Sequence, residues 1–532
     1  MDTPESKPLG YAWLAERFDL VTMPHWKESR SLSKGARRIV ERDGRVIEYL
    51  PAAQAPEDDV FEQLEFALRR EGLHLELLRK LLMQKIDRDE LTAYIRAKPT
   101  GRNTRTLWFL SEGFTKERLD LPDLKQGNYV DLLDSEIYVS GAPLKFKRQR
   151  INANLLGTLY FSPMVRWKGL PNCDEDAMKE RCSSLIGEYP PELFARAIRY
   201  LYAKESKSSH EIERETPTQR RAETFIALLE QAWHRTFLTK EALVELQQAI
   251  VDPRYANRDW RSETGEQIYV GETLAPDVER VHFAGPKPED LSELMKGFLV
   301  MAEKITDDVW WADSENRDEL IRFPAKVPTL VAAAVISFAF NFLHPFSDGN
   351  GRIHRFLLHH VLAHNHFGPG GIILPVSAVI LNRPREYDHA LESFSKPLME
   401  RVEYTLDDRM RMTVTNDTAD FYRYIDLTEA TRITIDFIRE TIETELPAEL
   451  RFLTAYDEIR REMRDVVELP DRIADLFVKL CRQNGGTLSK RKRELPEFTR
   501  LTESEISAIE GIVKNGLGFA ESITGSEELP SH

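Results

Sequence analysis

A chain of 532 residues exceeds what one hydrophobic core supports, so roughly two to four domains are expected. With 42% hydrophobic and 30% charged residues most of it should fold, and a net charge of -15 excludes a dominant non-specific nucleic-acid surface. Three cysteines, Cys173, Cys182 and Cys481, exclude a disulfide framework, have no metal-ligand spacing and read as reduced, partly buried thiols.

In chain order, Ala36 to Leu50 brackets Asp43-Gly44 and resembles a β-hairpin. Phe61, Leu64, Leu68, Leu75, Leu78 and Leu82 follow helical spacing, interrupted by Gly72. Gly127 to Gln149 offers short strands or irregular structure. Pro191 suits the first turn of a helix running through Phe194, Ile198, Leu201 and Tyr202, and Thr216-Pro217 marks a break. Arg221 to Phe237 and Lys240 to Ile250 predict two helices. Gln267 to Val270 is a strand candidate in a segment rich in Gly, Pro and charge. Helices are expected over Leu291–Lys304, Pro328–Leu343, Gly351–His364 and Pro384–Phe394.

Further on, Leu427 to Val467 holds two long helical patterns separated near Pro447. Asp471–Leu480 and Thr502–Ile512 are helical, with Lys490-Arg491-Lys492-Arg493 between them. That layout suits a winged-helix module able to touch nucleic acid, or a solvated loop on a scaffolding domain. Ser522 to His532 reads as a loose tail. The longest apolar stretch, Leu330 to Phe340, is too short to span a bilayer and reads as a buried helix. The first residues carry Asp2, Glu5, Glu16 and Asp19 with no signal-peptide core, so a cytoplasmic protein with no membrane partner is expected.

The densest chemistry lies in His344-Pro345-Phe346-Ser347-Asp348-Gly349-Asn350-Gly351-Arg352-Ile353-His354-Arg355. Gly349-Asn350-Gly351 sits where a loop enters a helix, so glycines allow close backbone approach while free amides attract an anion. Arg352 and Arg355 share one helix face and can grip phosphate oxygens. Asp348 is a hard oxygen ligand suited to Mg²⁺ held with phosphate. His344 follows the apolar helix and can accept a proton near neutrality. Each residue alone is compatible with a structural role; together they read as a polyphosphate site. The glycine spacing is neither that of a Walker A loop nor that of a dinucleotide fingerprint.

The stretch His344 to Arg355 resembles the signature of the Fic-domain family, His-Pro-Phe-x-Asp/Glu-Gly-Asn-Gly-Arg-x-x-Arg, at every fixed position. The resemblance implies a mainly α fold: a Fic-type helical core over 190–410 with a short β-hairpin flap. An α+β region (1–185), a helical linker or scaffold (427–467) and the winged-helix-like module (470–520) would flank it. It implies transfer of AMP from ATP, with Mg²⁺, to a Ser, Thr or Tyr hydroxyl of a protein, which makes ATP and Mg²⁺ the expected cofactors. By motif, His344 would deprotonate the hydroxyl and Asp348 would bind Mg²⁺. The backbone of Gly349 to Gly351 and Asn350 would form the anion hole. Arg352 and Arg355 would hold the β- and γ-phosphates, and Phe346 would anchor the loop.

Ser208-Ser209-His210-Glu211-Ile212-Glu213-Arg214 resembles the family's inhibitory helix, Ser/Thr-x-x-x-Glu-Gly/Asn, through Ser209 and Glu213. Arg214 departs from Gly or Asn. The resemblance implies that Glu213 pairs with Arg355 and spoils the γ-phosphate position. Gln267 to Gly271 is the candidate flap for registering a target by strand pairing. Beside AMP transfer stand two alternatives: removal of AMP or transfer of another phosphate-containing group, and a nucleotide-sensing regulator that binds nucleic acid through 470–519. A protein substrate, self-modification and a homodimer are the partners considered.

Overall fold

This is a computed structural model. It describes residues 6–518 apart from 43, 173, 188–190, 234–235, 276–277, 307–308, 312–319, 323–326 and 369–372. Cys173 and the tail from Ser522 to His532 lie outside the described residues, whereas Cys182 and Cys481 are buried and free.

The N-terminal unit mixes strands and helices as its sequence pattern suggests. Strands β1 (Ser6–Leu9), β2 (Lys27–Leu32), β3 (Arg38–Arg42) and β4 (Arg45–Pro51) form a sheet ordered β1-β2-β4-β3, with helix α1 (Gly10–Phe18) between the first two. Arg42 faces Arg45 across the β3–β4 hairpin, and Gly44 has φ 72°; Asp43 itself lies outside the described residues. Helices α2 (Val60–Arg70), α3 (Leu75–Gln84), α4 (Arg88–Ala97) and α5 (Arg102–Thr115) follow. The apolar periodicity from Phe61 to Leu82 divides into α2 and α3 at Gly72, where φ is 88° and a Cβ would stand 2.6 Å from Tyr138 Oη. Asp59 and Asp87 cap the free amides of α2 and α4. Short strands β5 (Val130–Asp131), β6 (Leu144–Phe146) and β7 (Ile151–Ala153) close this unit over a core that includes Leu78, Leu107, Trp108 and Leu110.

The helical body begins with α6 (Glu175–Gly187) and α7 (Pro191–Ile212). Helix α7 is longer than its apolar pattern indicates: it runs through Ser209, so the segment resembling an inhibitory helix forms its last turn and the reversal that follows. Next come α8 (Gln219–Gln231), α9 (Lys240–Ile250) and the hairpin β8 (Tyr269–Ala275) and β9 (Val278–Ala284). Helix α8 ends at Gln231 rather than at Phe237. Helix α10 (Pro288–Thr306) precedes the strand pair β10 (Val309–Trp311) and β11 (Leu320–Arg322).

Helix α11 (Thr329–Leu343) is buried at every residue except Asn341, which is why its sequence is apolar all round. It packs against α12 (Asn350–His364), and α13 (Val376–Asn382) and α14 (Pro384–Met399) complete that layer. A small hairpin, β12 (Tyr404–Leu406) and β13 (Met412–Val414), leads through α15 (Ala419–Arg423) to α16 (Thr428–Glu440).

Helix α16 ends at Glu440, ahead of Pro447, so the two helical patterns are separated near that residue as expected. One π turn, Thr441–Glu445, joins it to α17 (Leu446–Val466). Pro447 falls in the first turn of α17, where a helix best tolerates proline. After it come α18 (Asp471–Arg482), the short exposed α19 (Lys490–Arg493) and α20 (Glu503–Gly516), and α18 and α20 pack with α17 around Phe477 and Phe498. Among the described residues this region has no strand, so the wing of the expected winged-helix module is absent there. Within the basic run, Arg493 is paired with Glu503 and with the buried Glu510 of α20. No helix among the described residues is long and apolar enough to cross a membrane.

One buried polar contact ties α7 to the rest of the body. Glu205, fully buried, has Oε1 2.8 Å from His359 Nε2 on α12 and accepts from the Ser377 amide (3.0 Å) and hydroxyl on α13. Burial pushes the Glu205 carboxyl up, but His359 and Ser377 together outweigh it and hold it below the ordinary 4.5. A depressed carboxyl stabilises the fold above its unfolded-state pKa, and that stabilisation is lost as pH falls through the folded-state value. Glu205→Gln should therefore lose on the order of 3 kcal/mol at neutral pH. In urea unfolding, its gap from wild type should narrow below pH 4.5; a gap that widens on acidification contradicts the assignment.

Candidate active site

Two helices and the loop between them build the site. His344 ends α11 in the left-handed region (φ 46°, ψ 58°), which turns the chain sharply away from the helix axis. A carbonyl can only accept, so Nδ1–H donates to Asn341 O (3.3 Å) and Nε2 keeps its lone pair. Removal from water, then the nearby Arg261 charge, push the imidazole down to about 4. It is neutral at physiological pH and able to take a proton.

The loop is held from several sides. Phe346 is fully buried, with its ring centroid 5.2 Å from that of Trp260 and 6.3 Å from that of Phe340. This is the anchoring role expected of it. Asn350 closes the loop on itself, accepting from Phe346 N (3.1 Å) and donating to Phe346 O (2.7 Å). Asn257 Oδ1 accepts from the Ser347 amide (3.2 Å), and Gln247 Nε2 donates to both Asn257 Oδ1 (3.1 Å) and Asp348 O (3.2 Å). Arg261 donates from Nε to His344 O (2.8 Å) and from its amide to Pro345 O (2.8 Å).

Gly349, with φ 89°, is the N-cap of α12, and the free amides of the first turn face the loop. At Gly351 a Cβ would lie 2.1 Å from Glu213 Oε1. The glycine therefore lets a carboxylate lie against the helix start, where an anion is favoured. The expected pair forms: Glu213 Oε1 accepts from Arg355 Nη2 at 2.8 Å, while Ser209 accepts from Arg355 Nε at Oγ and from Nη2 at its carbonyl, both at 2.8 Å. Burial pushes the Glu213 carboxyl up, but Arg355 and Arg352 outweigh it and hold it below the usual value.

Arg352 is also engaged. Its guanidinium donates to Ile250 O (2.9 Å) and Asp348 Oδ1 (3.2 Å) and lies 3.1 Å from Glu215 Oε2. Both arginine side chains are 1% exposed, whereas those of Glu213 and Glu215 are 36% and 34% exposed. Arg352 Nε finds no hydrogen-bond acceptor among the described residues. The side chain of Asp348 is 43% exposed and near no cluster of three metal-ligating side chains among the described residues. A single accessible carboxylate beside two buried arginines fits Mg²⁺, an ion that takes one or two carboxylates and fills the rest of its shell with phosphate and water.

Residues 237–362 match the family model described as Fic/DOC family. The chain carries a Fic/DOC domain. Members of that family generally transfer nucleotide or other phosphate-containing groups to proteins. The Fic/DOC match spans α9 through most of α12 and so covers the loop and both arginines. Among solved structures, the chain is similar to a Fic family protein from Desulfovibrio desulfuricans G20 at 17% identity, covering 61% of this chain and 84% of that one, with a TM-score of 0.32. It is also similar to a Fic domain containing signaling protein from Bacteroides thetaiotaomicron VPI-5482 at 17% identity, covering 53% and 96%, with a TM-score of 0.34. No curated protein matches it.

Four residues at this site escaped the sequence reading. Gln247 and Asn257 are neutral amides whose only sequence signal is a polar residue beside apolar ones, and Arg261 sits in a segment full of charge. Glu215 could have been noticed, because the Glu213-Arg214-Glu215 spacing repeats the charge that the arginines need. The departure at Arg214 has a physical reading. Arg214 N bonds to Glu211 O and Glu215 N to His210 O, both at 3.0 Å, and Arg214 has φ 57°. This is a Schellman reversal, whose left-handed residue is usually Gly or Asn. Arg214→Gly should therefore stabilise the chain by about 1 kcal/mol, relieving left-handed strain. Urea unfolding checks this; a loss of stability contradicts it.

Proposed function

We propose that this chain is a protein adenylyltransferase held at rest by its own segment Ser209–Glu215. The observation that carries the proposal is the seating of the Glu213 carboxylate. It lies against the glycine-rich start of α12 and on Arg355, where a nucleotide's terminal phosphate would be gripped.

In this reading ATP lies with its phosphates along the amides of Gly349 to Gly351, and Arg352 and Arg355 grip the outer phosphates bidentately. Nε2 of His344 takes the proton of a Ser, Thr or Tyr hydroxyl. The freed oxygen attacks the α-phosphorus in line. The bond to the β-phosphate oxygen breaks, and pyrophosphate leaves with its charge on the arginines. Position and charge complementarity supply most of the rate. Asp348 would hold Mg²⁺, which when bound adds positive charge beside the phosphates. The exposed hairpin β8–β9 supports strand pairing with a target segment. Segments of this chain are targets in the same sense, so self-modification is the most accessible readout.

Rest and release follow from the same charges. Glu213 and Glu215 each answer one arginine, and a triphosphate competes with both. Incubation of the full-length protein with ATP labelled at the α-phosphate tests the reading. Glu213→Gly should raise self-labelling by about tenfold or more, the equivalent of ~1.4 kcal/mol. The double variant Glu213→Gly/Glu215→Gln should raise it further. His344→Ala placed in the released protein should abolish it. Label that survives the loss of His344, or none in either released variant, contradicts the proposal.

A further inference from the structure

The Arg261 side chain is fully buried, yet none of the hydrogen bonds described for it goes to a carboxylate. Its fork instead reaches three carbonyls on three chain segments: Nε to His344 O (2.8 Å), Nη1 to Glu266 O (3.1 Å) and Nη2 to Pro286 O (2.5 Å). The first lies at the end of α11. The other two lie at the two roots of the β8–β9 hairpin, which is closed at its base by Gly285 N to Ile268 O (2.9 Å). Gly285 leaves room for the fork, since a Cβ there would stand 3.0 Å from Arg261 Nη2. Burial pushes the guanidinium down to about 10, so it keeps its charge at neutral pH at a desolvation cost. An apolar side chain would fill this space without that cost. A planar group with five donors is what three converging carbonyls require.

We propose that Arg261 is a positioning residue that fixes the His344 peptide to the roots of the β8–β9 hairpin, so that the edge offered to a target and the base that deprotonates it keep one alignment. This rests on the adenylyltransferase reading for the word base; the geometry of the clamp does not. A second consequence is electrostatic. Two charged groups bear on the imidazole: Arg261, which favours its neutral form, and Glu213 from α7, which opposes it. Strand β9 contributes the Phe283 ring, its centroid 6.0 Å from that of His344.

The test uses the full-length Glu213→Gly protein with Arg261, Arg261→Lys or Arg261→Gln, measuring AMP transfer across pH. Lysine keeps the charge but cannot reach three carbonyls at fixed angles. It should lower kcat about 10- to 100-fold, leave KM for ATP unchanged and keep the acid limb of the pH profile in place. Glutamine also removes the charge, so the acid limb should move to higher pH. Histidine-selective NMR titration reads the His344 ring without turnover, and it should rise in the glutamine variant and not in the lysine variant. Circular dichroism gives the folded fraction. The proposal is overturned if Arg261→Lys keeps the parent kcat, if kcat falls only in proportion to the folded fraction, or if the His344 titration is the same in all three proteins. Should the released parent transfer nothing, the adenylyltransferase reading fails, and the NMR titration still decides on Arg261.

Discussion

Two guanidinium groups buried within the first turns of one helix set the terms for the rest of this structure. Arg352 and Arg355 are each 1% exposed, and the free amides of α12 add to their field. Such a concentration of positive potential needs anions. In this structure it receives Glu213, Glu215 and Asp348, all carboxylates with one face still in water. Gly351 is needed because any side chain there would occupy the seat of Glu213. The left-handed reversal at Arg214 is needed because a continuing α7 would carry Glu215 away from Arg352.

Under the proposed adenylyltransferase reading, the balance of magnitudes favours a contact that nucleotide phosphates can displace. An ion pair with a partner one third exposed is screened and contributes on the order of 1 kcal/mol, well below what a buried pair can supply. Hydrogen bonds from two arginines to phosphate oxygens are charge-assisted and of at least comparable strength. The body of α7 is held more firmly, through the buried Glu205 that meets His359 on α12 and Ser377 on α13. The division places firm anchorage at Glu205 and a weak contact two helical turns later. Displacing Glu213 and Glu215 then requires movement of the reversal only, with α7 and α12 left packed.

Much of the site could be read from the sequence, because its chemistry is local. His344, Asp348, the glycines and the two arginines fall within one short stretch, and the apolar run of α11 places them at a helix-to-helix turn. The Ser209–Glu213 contact with Arg355 could also be read, through its resemblance to an inhibitory helix. The groups that hold the loop could not. Gln247, Asn257 and Arg261 act through backbone carbonyls and amides of residues far away in the chain, and no periodicity marks such contacts. The fold was legible where apolar spacing and Gly or Pro agreed, as at the split between α2 and α3 and at the start of α14. It was misread where no local breaker marked a boundary, as at the end of α8, which stops at Gln231 and not at Phe237.

The central claim is that Glu213 and Glu215 stand in the seats of nucleotide phosphates. Calorimetric titration of wild type and of Glu213→Gly/Glu215→Gln with Mg-ATP and with adenosine tests it most directly. The account predicts that the double variant binds the triphosphate about ten- to a hundredfold tighter, ~1.4 to 2.8 kcal/mol, while adenosine, which carries no phosphate, binds both proteins alike. Equal affinity of the two proteins for Mg-ATP, or an equal gain for adenosine, would contradict it.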